Sequence, residues 1–208
     1  MTQDNSFQRM TLLYPGDAPP PNNAPGLAPF TPQPQADPNS VRLDLACGKR
    51  VQPGFRGVDI SPDSGAEFVV DLEKYPWPWK DNSVDEVISV QYIEHVPDTI
   101  KFMNELWRIL KPGAKATLVA PYYTSVKAWQ DPTHVKAISE YTFLYYTKGW
   151  REQERLTHYP IKANFDVKWA IEWNDDFRGL EQDKQEWALK HFVNAAEYIW
   201  VELVKRDA

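Results

Sequence analysis

The chain has 208 residues, a formal net charge of −6 and a hydrophobic fraction of 42%. This length is enough for one domain with a substantial core, and it leaves little room for a second domain. The acidic balance argues against a broad nucleic-acid surface, because such surfaces need clustered Lys and Arg. The single cysteine, Cys47, excludes an intramolecular disulfide and a thiolate zinc cluster.

The distribution of apolar residues predicts whether the protein is soluble or bound to a membrane. The first ten residues, MTQDNSFQRM, lack an apolar segment behind a basic start, and no apolar run is long enough to span a bilayer. We therefore expect a soluble, cytoplasmic protein without a membrane partner.

Proline divides the chain into two parts. Nine of the eighteen prolines lie between residues 14 and 38, where missing N–H donors and a fixed φ disfavour helix and central strand. We assign residues 1–39 to a proline-rich tail or arm and residues 40–208 to one domain. The arm is either a mobile linker or a polyproline II segment that contacts its own domain, a second copy or a protein partner.

Short apolar runs then predict five strands of a mostly parallel sheet. The runs are VRLDLA, RGVDI, EFVVDL, VDEVISV and ATLVAPY, each bounded by Gly, Pro or Asp, a pattern typical of buried strands in α/β proteins. The connections after the first two strands are too short for full helices, so we expect a loop or a single turn at each.

Helical spacing returns between the fourth and fifth strands. Apolar residues from Ile100 to Leu110 recur behind the cap candidate Asp98, and Lys111-Pro112-Gly113 is a stop signal. Further along, the pattern predicts a helical stretch at 139–150, and then a closing strand, helix and strand. Their bounds are 165–173, 183–194 and 197–205, and the two strands complete a seven-stranded sheet.

Acidic residues stand at the ends of three successive strands. They are Asp44, Asp59 and Asp71, and a turn with Gly48 follows the first strand. Because the carboxyl ends of parallel strands meet at one edge of the sheet, we expect these acids to lie together where open α/β folds bind nucleotides.

The segments LDLACGKR (43–50) and GVDIS (57–61), together with Asp71, resemble the cofactor motifs of class I S-adenosylmethionine-dependent methyltransferases. The resemblance extends over residues 43–121 and implies a Rossmann-like α/β fold, with a mostly parallel seven-stranded sheet flanked by helices. It also implies S-adenosylmethionine as the cofactor. Ala46 and Arg50 replace the first and third motif glycines, so the turn after Gly48 is expected to take a different path.

The resemblance implies particular roles at the cofactor site. Asp59 would accept hydrogen bonds from the ribose hydroxyls, Asp71 would meet the adenine amino group, and Ile60 and Leu72 would sandwich the ring. His95 would face the cofactor in the same register, although it could equally be a polar residue that only begins a helix. The other cofactor-binding candidates are Asp44, Ala46, Cys47, Gly48, Gln91, Tyr92 and His95.

Methyl transfer is an in-line displacement that depends on positioning and needs no covalent enzyme intermediate. An oxygen acceptor would still benefit from a base, and the catalytic candidates are His134, with Asp131 beside it, and Tyr122. Alternatively, His134 fixes its loop, and Tyr122 packs inside the domain. We predict no metal, because the four histidines lack ligand spacing.

We expect a methyltransferase that acts on a small-molecule or carbohydrate-like acceptor. The segment from Pro121 to Tyr146 resembles small bacterial and viral methyltransferases linked to surface carbohydrates. Two alternatives remain. The departures at Ala46 and Arg50 favour an inactive binding or structural protein of the same fold, and a nucleic-acid or protein methyltransferase would need a partner to supply a basic surface.

Overall fold

The computed structural model describes residues 39–207. The predicted arm lies outside the described residues, except for its last position. Within the described range, no helix combines the length and apolarity needed to cross a membrane.

The central element is one seven-stranded sheet in the order β3-β2-β1-β4-β5-β7-β6. Each predicted strand is present, which confirms the Rossmann-like α/β prediction. The strands are β1 (Arg42–Leu45), β2 (Arg56–Asp59), β3 (Phe68–Val69), β4 (Val84–Val90), β5 (Leu110–Pro121), β6 (Phe165–Trp173) and β7 (Ala196–Lys205).

The sheet is mostly parallel and ends in an antiparallel pair of strands. β1 to β5 pair in parallel. β7 runs antiparallel to both β5 and β6 and lies between them. Burial alternates along much of β7, as the sequence pattern predicted. The connection from β5 to β6 therefore skips one strand position, which β7 later fills, and no local pattern could indicate this.

The helices flank the sheet. They are α1 (Thr99–Ile109), α2 (Glu140–Leu144), α3 (Lys148–Gln153), α4 (Asp175–Arg178) and α5 (Gln182–His191), with single 3-10 turns at Pro62–Ser64, Ile93–His95 and Val126–Ala128. The connection from β1 to β2 contains no helix, and the one from β2 to β3 contains a single turn, as predicted. α1 begins behind Asp98, whose side chain accepts a hydrogen bond of 3.0 Å from Lys101 N.

Two helix predictions need correction. The stretch at 139–150 is not continuous, because Thr147 leaves the helix and donates its hydroxyl to Phe165 O. The helix predicted to end at 194 ends at His191. Asn194 has a φ of +61°, which a helix excludes, and its N–H donates to Thr124 O.

Two boundaries along the parallel half also differ from the prediction. β3 contains only Phe68 and Val69, so Asp71 follows the strand by two residues. Lys111-Pro112-Gly113 lies within β5, where the register to β4 shifts between Val84 and Glu86, and Gly113 has a φ of +77°. α1 therefore ends at Ile109, directly before the bulge.

The core lies against the central strands. Leu43, Leu45 and Val87 are 0% exposed, as is Phe102 on the inner face of α1. Each such fully buried side chain contributes roughly 1.5–3 kcal/mol relative to exposure. This packing holds the carboxyl ends of β1, β2 and β4 in fixed positions.

Candidate active site

Two acids organise the turns at the carboxyl ends of β1 and β2. Asp59 Oδ2 accepts from Gly48 N at 2.8 Å, and its Oδ1 accepts from Ser61 N at 2.9 Å. Asp44 Oδ2 accepts from Gln52 N at 2.8 Å. Asp59 thus joins the turn after β1 to the turn after β2, and each of its oxygens keeps a further lone pair for a ligand.

The turn after β1 takes its unusual path at Ala46 and Gly48. Their φ angles are +56° and +54°, and the left-handed conformation costs an L-residue such as Ala46 about 1–2 kcal/mol. Arg50 avoids that region, and its N–H closes a turn onto Cys47 O at 3.1 Å. A Cβ built at Gly48 would meet nothing within 4 Å, so open space lies above this turn.

Electrostatic effects link the predicted cofactor residues. Burial, followed by the negative charges of Glu73, Asp71 and Asp59, raises the pKa of Tyr92 to about 12. Burial, then the charges of Asp44 and Asp59, raise the pKa of the Cys47 thiol. The phenol of Tyr92 and the thiol of Cys47 therefore lie within the field of the strand-end acids.

The remaining cofactor candidates differ in exposure. Ile60 is 64% exposed, whereas Leu72 is 4% exposed and packs in the core. Gln91 is exposed, has a φ of +58° and donates its N–H to Val119 O. Asp71 Oδ1 accepts from Glu73 N at 3.0 Å. Of the two side chains predicted to sandwich the adenine ring, only that of Ile60 is exposed and able to contact a ligand.

A second cluster lies next to this edge, where the 3-10 turn after β4 meets the loop after β5. Glu94, His95 and His134 each bring one potential ligand atom within 4.8 Å of the others. The two imidazole rings meet edge to face at 4.6 Å. Val135 N donates to Glu94 O at 2.9 Å, which fixes the loop to the turn.

Hydrogen bonds define which ring nitrogens are free. His134 Nδ1 lies 3.0 Å from Ala128 O, and a carbonyl only accepts, so Nδ1 carries the proton. Thr133 donates its hydroxyl to Asp131 Oδ1 and therefore accepts from His95 Nδ1 at 3.0 Å. Each ring therefore carries a proton on Nδ1, and Nε2 is the nitrogen left for a further proton or a ligand.

Two predicted catalytic residues have partners other than His134. Asp131 Oδ2 lies 4.0 Å from His134 Nε2, beyond a hydrogen bond, while Asp131 Oδ1 holds Thr133. Tyr122 is 1% exposed and donates its hydroxyl to Glu140 Oε2 at 3.0 Å. Burial, followed by the Glu140 charge, raises the pKa of Tyr122. Tyr122 packs inside the domain, and its hydroxyl is already occupied.

Sequence reasoning missed Glu94 and Trp129. Glu94 is 1% exposed, neither of its carboxylate oxygens has a hydrogen-bond partner, and burial raises its pKa to about 7. Trp129 is 69% exposed, directly after the carbonyl that holds His134. The Glu-His pair after β4 was visible in the sequence, but its contact with His134 depends on the fold of a distant loop.

Comparison with known proteins agrees with this arrangement. Residues 43–118 match the methyltransferase domain family. Over 119 residues the chain is 32% identical to a probable S-adenosylmethionine-dependent methyltransferase of Mycolicibacterium smegmatis, covering 54% of this chain and 43% of the relative. Over 101 residues it is 28% identical to norajmaline N-methyltransferase of Rauvolfia serpentina, covering 38% of this chain and 35% of that relative. Each match thus spans less than half of the relative.

The architecture agrees as well. The crystal structure of a SAM-dependent methyltransferase from Archaeoglobus fulgidus superposes with a TM-score of 0.57 at 18% identity, covering 81% of this chain and 87% of that one. At this level of identity, the likeness shows a common fold. Residues 43–118 are therefore similar to the methyltransferase domain family, and the described domain shares its fold with a solved methyltransferase.

Proposed function

We propose that the protein transfers a methyl group from S-adenosylmethionine to a small-molecule or carbohydrate-like acceptor. The observation that carries the proposal is the position of Asp59, which bridges the two strand-end turns of a methyltransferase domain beside open space at Gly48. We propose the methyl transfer and the acceptor class together with a cytoplasmic location.

The described residues fit the cofactor. Asp59 keeps lone pairs for the ribose hydroxyls, and Ile60 would offer its exposed side chain to one side of the adenine. Asp71, whose charge acts on Tyr92 together with that of Asp59, would accept from the adenine amino group. The open space at Gly48 leaves room for the methionine end. S-adenosylmethionine would supply a methyl group on a positively charged sulfur, and these side chains would hold it in line with the acceptor.

The acceptor side is aromatic. Trp129 and Tyr123 are 69% and 41% exposed, and Trp129 Nε1 donates to Tyr123 O at 3.0 Å, which fixes the indole. Flat apolar faces of this kind pack against sugar rings and other compact organic molecules. His134, with Nδ1 held by Ala128 O, presents Nε2 to take a proton from an acceptor hydroxyl, and Asp131 would favour the resulting imidazolium.

Calorimetric titration of the purified full chain with S-adenosylmethionine and S-adenosylhomocysteine tests the proposal. We expect wild-type binding that weakens at least about 100-fold in Asp59→Ala, because two hydrogen bonds to a charged acceptor are lost. Asp71→Ala should weaken binding roughly tenfold, and it does not disturb the turns that Asp59 holds.

The matched control is Asp63→Ala, an exposed carboxylate in the neighbouring 3-10 turn. It should bind like the wild type, and circular dichroism should show that all variants are folded. A folded wild-type chain that binds neither compound would overturn the proposal in favour of a non-enzymatic binding protein. Acceptor screening with a labelled methyl group would follow only after binding.

A further inference from the structure

The carboxylate of Glu94 is buried without a partner. The residue is 1% exposed, and neither Oε1 nor Oε2 has a hydrogen bond. A buried polar group without a partner costs roughly 1–3 kcal/mol, and a charged one costs more. Buried charges in native proteins are paired or coordinate a metal, and an unsatisfied buried group is explained by strain, a catalytic role, or a bound water or ion.

The neighbours of Glu94 are suited to a metal. One ligand atom each from Glu94, His95 and His134 lies within 4.8 Å of the other two. Ligands about 2.0–2.2 Å from a tetrahedral ion are roughly 3.3–3.6 Å apart, so side-chain movements of about 1 Å would close the site. The two histidines are partly exposed, which leaves a path from solvent.

The hydrogen bonds behind the two imidazoles match those behind metal ligands. A metal-bound histidine almost always donates its other N–H to a carbonyl or another acceptor, which fixes the ring and its tautomer. His134 Nδ1 donates to Ala128 O, and His95 Nδ1 donates to Thr133, whose hydroxyl is held in turn by Asp131. Asp131 therefore stabilises the position of His95 through Thr133.

We propose that Glu94, His95 and His134 bind one divalent transition-metal ion of the zinc type, with a fourth coordination position open to solvent or substrate. Two imidazoles and one carboxylate suit zinc and its neighbours, whereas magnesium and calcium prefer oxygen ligands alone. Three protein ligands with an open position are typical of sites that bind a reacting molecule.

The ion would change the role of His134. Its Nε2 cannot both bind a metal and accept a proton, so in the metal-bound form an acceptor oxygen would bind at the open position and be activated there. This consequence rests on the proposed methyl transfer, but the binding of the ion does not. The site adjoins the cofactor edge through the short segment from Gln91 to His95.

The test is calorimetric titration of the full chain with zinc chloride after chelator treatment, and with magnesium chloride for comparison. We expect one zinc ion per chain and no magnesium binding. Glu94→Gln and His95→Asn should each weaken zinc binding by at least roughly tenfold. Substitution with cobalt should give the absorption of a low-coordinate ion in the wild type, and this absorption should be lost in both variants.

The control is His158→Ala, an exposed histidine whose ring stacks on Tyr159 and which is not a member of the cluster. It should retain wild-type zinc affinity. Equal affinity in Glu94→Gln, His95→Asn and the wild type, an absence of zinc binding, or magnesium binding as tight as zinc would each overturn the proposal. Zinc binding retained by Asp59→Ala, and cofactor binding retained by Glu94→Gln, would separate this site from the cofactor site.

Discussion

Two acids on the same sheet edge have different environments. Asp59 stands partly exposed at the crossing of two turns, whereas Asp44 is 2% exposed inside β1. Burial raises the pKa of Asp44 to about 6, and the hydrogen bond from Gln52 N only partly offsets this. The sequence predicts both as acids at strand ends. They differ in burial because the chain folds back over Asp44.

The buried carboxyl of Asp44 predicts a pH-dependent stability. Because its folded pKa lies above the unfolded value, stability from this group is present below about pH 4 and is lost as the pH rises through 6. Asp44→Asn has no carboxyl to ionise, so it should have a higher free energy of unfolding than the wild type. This difference between variant and wild type should be about 2 kcal/mol larger at pH 7.5 than at pH 4.5. Urea unfolding at both pH values measures it.

The control is Asp63→Asn, at an exposed position. It should change the free energy of unfolding little and by the same amount at both pH values. An Asp44→Asn gain that does not depend on pH would contradict the assignment of the shift to Asp44.

Single elements follow local rules closely. α1 has an apolar inner face, begins at a side-chain cap and ends where β5 starts. The short helices α2 and α3 follow these rules less well. Between them, the hydroxyl of Thr147 donates a hydrogen bond to Phe165 O in β6. A tertiary hydrogen bond thus overrides helical propensity within the stretch at 139–150.

The cap of α1 can be measured separately. Asp98→Ala should lower the free energy of unfolding by about 1 kcal/mol, since the bond from Lys101 N is lost. Asp98→Asn keeps an accepting oxygen and should lose less than half of that amount. Equal losses in the two variants, measured by urea unfolding, would assign the effect to the Asp98–Lys101 ion pair instead.

At the scale of the whole molecule, contacts distant in sequence join the two halves of the domain. Asn104 on α1 accepts from Lys162 N and Ala163 N at 2.8 and 3.0 Å, and its Nδ2 donates to Pro160 O at 3.0 Å. One side chain thus satisfies three backbone groups of the segment that leads into β6. It thereby stabilises the position of the antiparallel pair against the parallel half.

Removing this connection should weaken the whole domain. Asn104→Ala should lower the free energy of unfolding by about 2 kcal/mol, because three backbone groups lose their partner. Asn104→Asp keeps both accepted bonds and should lose only a fraction of that. A loss confined to local hydrogen exchange near residues 160–163, without a change in global unfolding, would show that the connection is local.

The sequence by itself determined the periodic elements, the cap of α1 and the acids at the strand ends, and it predicted the class of cofactor. These follow from local spacing and from motif residues within a few positions of each other. Tertiary structure alone decided that β7 enters between β5 and β6, that Asp44 is buried, and that His134 meets His95 and Glu94. Each of these depends on long-range pairing and on how loops close, and neither propensity nor periodicity encodes those contacts.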